Sequence, residues 1–107
     1  MRQKFSNEGH VKQYIKEVCK LRGAWYVMPV MRAGMGRQGI PDFIICYRGV
    51  FLAIETKFGR NKPTAHQRRE LGEIAKAGGV AQVINEQNRE MLAKWFDKID
   101  GEKTCGA

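Results

Sequence analysis

Two short apolar runs separated by one dipeptide constrain this chain more than any other feature. Residues 41–47 (PDFIICY) and 50–57 (VFLAIETK) are rich in Ile, Val, Leu and Phe, and only Arg48-Gly49 lies between them. Runs of that length and composition read as strands, and a two-residue connection is the loop of a tight hairpin. The near-continuous apolar character predicts a sheet covered on both faces. Upstream, Val11, Tyr14, Ile15, Val18 and Cys19 recur at helical spacing. That pattern predicts a helix with one apolar stripe, capped by Ser6 or Asn7 and ended by Gly23. Lys12, Lys16 and Lys20 recur every four residues on another side and read as a solvated basic face.

The rest of the chain alternates in the same way. Residues 25–30 read as a strand, and residues 31–39, with three glycines and two arginines, as a mobile basic loop. Residues 58–63 form a second basic loop. Thr64 opens a helix with Leu71, Ile74 and Ala75 on one stripe, and Gly78-Gly79 ends it. Residues 80–85 read as a fourth strand. Asn85 is placed to cap a last helix whose apolar face is Met91, Leu92, Trp95, Phe96 and Ile99. The predicted class is therefore α/β, with the order α-β-β-β-α-β-α. The first three strands form an antiparallel meander, and the fourth joins parallel to the third across a helical crossover. At 107 residues the chain has room for one domain, expected over residues 1–100, with 101–107 as a flexible polar tail.

Charge narrows the partners. Lys and Arg number 19 against 11 Asp and Glu, a formal net charge of +8. That excess favours a polyanion, either nucleic acid or an acidic membrane surface. No apolar run approaches the ~20 residues needed to span a bilayer. Three cysteines, none in a C-x-x-C pair, argue against a disulfide framework or a zinc ribbon and fit a reducing, cytoplasmic compartment.

The hairpin also carries the chemistry. With the turn centred between Arg48 and Gly49, cross-strand partners have numbers that sum to 97, so Asp42 faces Glu55. Directly opposed residues have Cβ atoms ~4.5–5.5 Å apart. Lys57, two residues beyond Glu55, shares the same side. Two carboxylates ~5 Å apart repel by about 0.8 kcal/mol in water and about 3 kcal/mol at an effective dielectric near 20. A sheet keeps such a pair if one acid is protonated, if Lys57 compensates, or if a cation sits between them. Oxygen donors without a Cys or His cluster favour Mg²⁺ or Mn²⁺ over Zn²⁺. Glu8 lies near the start of the first helix on its apolar side, where it serves either as a third acid or as a complement to the helix dipole. Gln67 faces the sheet from the second helix, and Thr64-x-x-Gln67 is also a capping box.

These residues resemble a known pattern. Gly39-Ile40-Pro41-Asp42-Phe43, Ala53-Ile54-Glu55-Thr56-Lys57 and Pro63-Thr64-Ala65-His66-Gln67 are similar to the motifs of the PD-(D/E)XK nucleases. More narrowly they resemble the virus-type replication-repair nuclease (VRR-NUC) branch: a helix glutamate, G-x-P-D, E-x-K, then a glutamine opening the next helix. The resemblance spans nearly the whole chain and implies a restriction-endonuclease-like αβββαβ core. It implies metal-dependent hydrolysis of DNA phosphodiesters. Asp42, Glu55, Lys57 and Gln67 would be catalytic, and Mg²⁺ or Mn²⁺ would be held by Glu8, Asp42, Glu55 and the Thr56 carbonyl. It further implies a homodimer acting on branched DNA such as four-way junctions, in a protein of phage or bacterial origin. Arg32, Arg37, Arg60, Lys62, Arg68 and Arg69 flank these motifs and are the expected DNA contacts. Two other functions fit the charge: a basic DNA-binding module without activity, and a small subunit that binds an acidic protein.

Other signals are weaker. Residues 34–39 match G-x-G-x-x-G, but a dinucleotide fingerprint follows a strand and opens a helix, and this loop runs into a strand. His10 and His66 are expected at the surface, and Trp25 and Trp95 in the core.

Overall fold

The computed structural model describes residues 4–30 and 36–105. Helix α1 (Glu8–Arg22) begins where the Asn7 side chain accepts a bond from the His10 amide, 2.9 Å away, and ends at Gly23 in the left-handed conformation. Val11, Ile15, Val18 and Cys19 form its buried stripe. Strands β1 (Trp25–Val27), β2 (Phe43–Tyr47) and β3 (Val50–Thr56) follow as an antiparallel meander. Helix α2 (Ala65–Lys76) crosses over to β4 (Val80–Ile84), which pairs parallel with β3. Helix α3 (Met91–Cys105) completes the chain. The sheet order is β1-β2-β3-β4, the mixed four-stranded arrangement expected of an α/β restriction-endonuclease-like fold.

The hairpin turn explains the register. Arg48 and Gly49 both have positive φ, 49° and 84°, the sense of a type I′ turn, whose twist matches the strands it joins. Phe43 pairs with Ile54, Ile45 with Leu52 and Tyr47 with Val50, so the expected register holds from the turn to Phe43, and Asp42 lies one residue before the paired stretch. Phe43, Ile45, Leu52, Ile54 and Ile84 point to one face of the sheet and meet the apolar sides of α1 and α3 in one core. Burying each such side chain contributes ~1.5–3 kcal/mol.

Four expectations are corrected here. The sheet is not covered on both faces throughout: α2 lies mainly over β4 and β3. On that face Trp25 (62% exposed), Val27, Cys46 and Phe51 (45% exposed) remain open, so Trp25 is not a core residue. The C-terminal segment is helical to Cys105 rather than a tail from residue 101. The last turns of α3 are tied down by Ile99 in the core and by Asp100, whose carboxylate accepts bonds from Tyr47 (2.9 Å) and Arg22 (3.1 Å). Finally, Asn85 does not cap α3. Its side chain accepts from the amides of Gln87 and Asn88 in the turn before the helix starts.

Candidate active site

The hairpin register carries the acids to one place. Asp42 immediately precedes β2, Glu55 lies near the end of β3, and Lys57 follows it. Asp42 Oδ2 accepts two bonds from one residue, the Thr56 amide at 2.9 Å and the Thr56 hydroxyl at 2.7 Å. That clamp fixes the carboxylate and leaves Oδ1 outside it. The role of the Thr56 amide and hydroxyl was not legible in the motif, which singled out only its carbonyl.

Glu55 is 2% exposed, a carboxylate inside the protein. Its Oε2 accepts a bond from Gln67 Nε2 at 2.9 Å and lies 3.5 Å from Lys57 Nζ. Its Oε1 is buried and has no hydrogen-bond partner. Burial is the main reason that its pKa is pushed up to about 8, and the nearby charge of Asp42 adds to it. Lys57 opposes both without cancelling them. Burial and the charge of Asp42 thus both favour the protonated form of Glu55.

Gln67 does two jobs. Its amide nitrogen reaches Glu55, while its Oε1 accepts from the Thr64 amide and its own amide bonds the Thr64 hydroxyl, closing the capping box of α2. The start of α2 is held in place by Gly39, the glycine of G-x-P-D. Gly39 has φ of 82°, and a Cβ there would stand 2.5 Å from the His66 carbonyl carbon. Only glycine lets this loop come close enough to seat Gln67 over Glu55.

Glu8 occupies the first turn of α1. Its Oε2 is 3.3 Å from Lys12 Nζ, and the same ammonium is 3.9 Å from Asp42 Oδ1. Lys12 thus belongs to the site and not to a solvated face, a placement that helical spacing alone did not show. Among the described residues, no group of three His, Cys, Asp or Glu side chains is arranged to hold a metal ion. The preformed acidic pair is Asp42 with Glu55, and Glu8 is joined to it through Lys12. The donor set still fits a hard divalent cation. The partnerless Glu55 Oε1 and the Oδ1 of Asp42 are oxygen donors of that kind.

The expected DNA contacts divide. Arg32 lies outside the described residues. Arg60 and Lys62 are exposed in the loop between β3 and α2. Arg68 donates to the Pro63 carbonyl at 2.7 Å, and Arg69 lies 3.8 Å from Glu70; both are exposed. Arg37 is held on α2, 2.7 Å from Glu70 and 2.5 Å from Glu73. Its ion pairs explain why Glu70 can be buried, and they dock the loop that carries Gly39. His10 and His66 are at the surface, as expected.

An αβββαβ core that brings an aspartate, the glutamate and lysine of E-x-K and a helix-opening glutamine to one point defines the PD-(D/E)XK class of nuclease fold. Within that class the resemblance to the VRR-NUC branch holds in three dimensions. The structure is similar to a solved VRR_NUC domain with a TM-score of 0.69 and 28% sequence identity, over 84% of this chain and 97% of that one. No family model and no curated protein sequence matches the chain.

Proposed function

We propose that this protein is a metal-dependent deoxyribonuclease that acts as an endonuclease on branched DNA, with Asp42, Glu55, Lys57 and Gln67 as its working residues. The observation that carries the reading is the buried, partnerless Oε1 of Glu55 beside a clamped Asp42. Such an atom is costly unless a cation or a proton joins it. Mg²⁺ or Mn²⁺, held by Asp42, Glu55 and the Thr56 carbonyl with Glu8 as an additional donor, would supply Lewis-acid activation of phosphate and water.

The remaining steps belong to the side chains. Thr56 holds the Asp42 carboxylate in one orientation through two bonds. Gln67 holds Glu55 Oε2, so Oε1 is the oxygen left for the cation. Lys57, 14% exposed at its side chain, orients the attacking water and offsets charge as it develops on the phosphate. Arg60, Lys62, Arg68 and Arg69 lead DNA to this point through phosphate contacts, and Arg32 has the same proposed role.

The partners follow from two surfaces. The +8 chain has a basic flank beside the site, which suits DNA. The uncharged sheet face formed by Trp25, Val27, Cys46 and Phe51 suits a second copy of the chain, as a homodimer requires. Among the described residues no helix is long and apolar enough to cross a membrane. Cys19 and Cys46 are free thiols, which supports a reducing, cytoplasmic setting.

The test is cleavage of plasmid, linear, flapped and four-way-junction DNA with Mn²⁺ by the wild type, Asp42→Ala and Glu55→Gln. The wild type should cut and both variants should lose cleavage while still binding DNA. Full activity in either variant rules out this site. DNA binding by the wild type with no scission would make it a binding module instead.

A further inference from the structure

Lys57 stands beside Glu55, and Lys12 is a second cation in the acidic site, on the side of Asp42 and Glu8. One turn separates it from Glu8, and its ammonium lies 3.3 Å from Glu8 Oε2 and 3.9 Å from Asp42 Oδ1. Asp42 Oδ2 is already occupied by Thr56. The oxygen that Lys12 approaches is therefore the one that a metal would need. A side chain one-third exposed, on a four-carbon stem, can withdraw to solvent without disturbing the core.

We infer that Lys12 is a tethered placeholder. It keeps Glu8 and Asp42 aimed at a shared gap when no divalent ion is bound, and it competes with that ion for Asp42. This inference rests on the metal-binding reading given above. Two carboxylates facing one gap repel unless a positive charge lies between them, and an ammonium supplies one charge where a divalent ion supplies two. An incoming ion must displace Lys12, because a unit charge beside a double charge is repelled even in water. Lys12 is then a positioning residue that sets the ion concentration at which the site fills. It also accounts for Glu8 standing near Asp42 through a shared ammonium while, among the described residues, no three-acid cluster is ready to hold a metal.

The test reads metal affinity and stability, not cleavage. Mn²⁺ binding to the full chain is measured by titration calorimetry for the wild type, Lys12→Met, Lys12→Arg, Lys20→Met and Asp42→Ala, with thermal melts of each in the absence of metal. Lys20 lies two helical turns further along α1 and controls for the loss of one positive charge. Lys12→Met should bind Mn²⁺ roughly threefold to tenfold more tightly than Lys20→Met. It should melt lower without metal and gain more on adding it. Lys12→Arg, which keeps the cation, should stay near the wild type. Affinity of Lys12→Met equal to or weaker than that of Lys20→Met overturns the inference. Wild-type binding that is absent, or that Asp42→Ala leaves intact, overturns the metal-binding reading itself.

Discussion

Glu55 shows how a single buried side chain couples charge to stability and, on the proposed reading, to metal binding. Its pKa in the folded protein is about 8, against 4.5 for an ordinary glutamate. Between those values the folded state holds a proton that the unfolded state has released. Stability therefore falls as pH rises from about 4.5 and levels off above about 8. Urea unfolding between pH 4.5 and 9 should show this decline in the wild type and a flatter profile in Glu55→Gln, which carries no titrating proton. Above pH 8 Glu55→Gln should be the more stable protein; an equal slope in both would place the buried proton elsewhere. A divalent ion must displace the same proton, so Mn²⁺ affinity should increase with pH up to about 8, and calorimetry in buffers of different ionisation enthalpy should detect the proton released.

At the scale of elements, the site depends on how the loop before β2 meets the start of α2. Gly39→Ala would force a Cβ into the His66 backbone at a position with positive φ, and neither the helix end nor the loop can yield cheaply. We expect a loss of at least ~2 kcal/mol in denaturant unfolding. Cleavage should fall further than stability explains, because Gln67 moves with the helix. Thr64→Ala removes only the cap and should cost ~1 kcal/mol. The contrast between these positions also shows what a sequence can disclose. Local chemistry was legible: the two-residue turn gave the strand register, and Thr64-x-x-Gln67 gave the capping box. Contacts between elements were not. Arg37 read as a DNA contact because its partners, Glu70 and Glu73, lie 33 and 36 positions away. Lys12 read as solvated because its position relative to Asp42 depends on how α1 packs against the hairpin.

At the scale of the molecule, the three helices among the described residues leave part of one sheet face open, and the shortfall falls on β1, β2 and the start of β3. Strand composition announced burial there, since Trp25, Val27 and Phe51 are the residues of a covered face, but they remain 62%, 42% and 45% exposed, with Phe51 only flanked by Ile74 and Gly79. The residue types were legible in the sequence, and the absence of a cover was not, because coverage depends on where α2 lands. The proposed second copy would resolve the mismatch: an uncharged face would avoid the repulsion that two chains of +8 would otherwise feel, and a two-fold axis would set each apolar patch against its own copy. Trp25→Glu and Phe51→Lys each place a charge in that patch without touching Asp42, Glu55 or Lys57. Burying an aromatic side chain is worth ~1.5–3 kcal/mol, so either change should weaken self-association by at least about tenfold. Light scattering on the eluting protein should show the wild type at twice the chain mass and the variants shifted toward a single chain. Single-chain mass for the wild type at tens of micromolar would leave the open face without this role. If the dimer forms and the variants break it, junction cleavage should change from paired cuts to single nicks, because one site can hydrolyse only one strand per encounter.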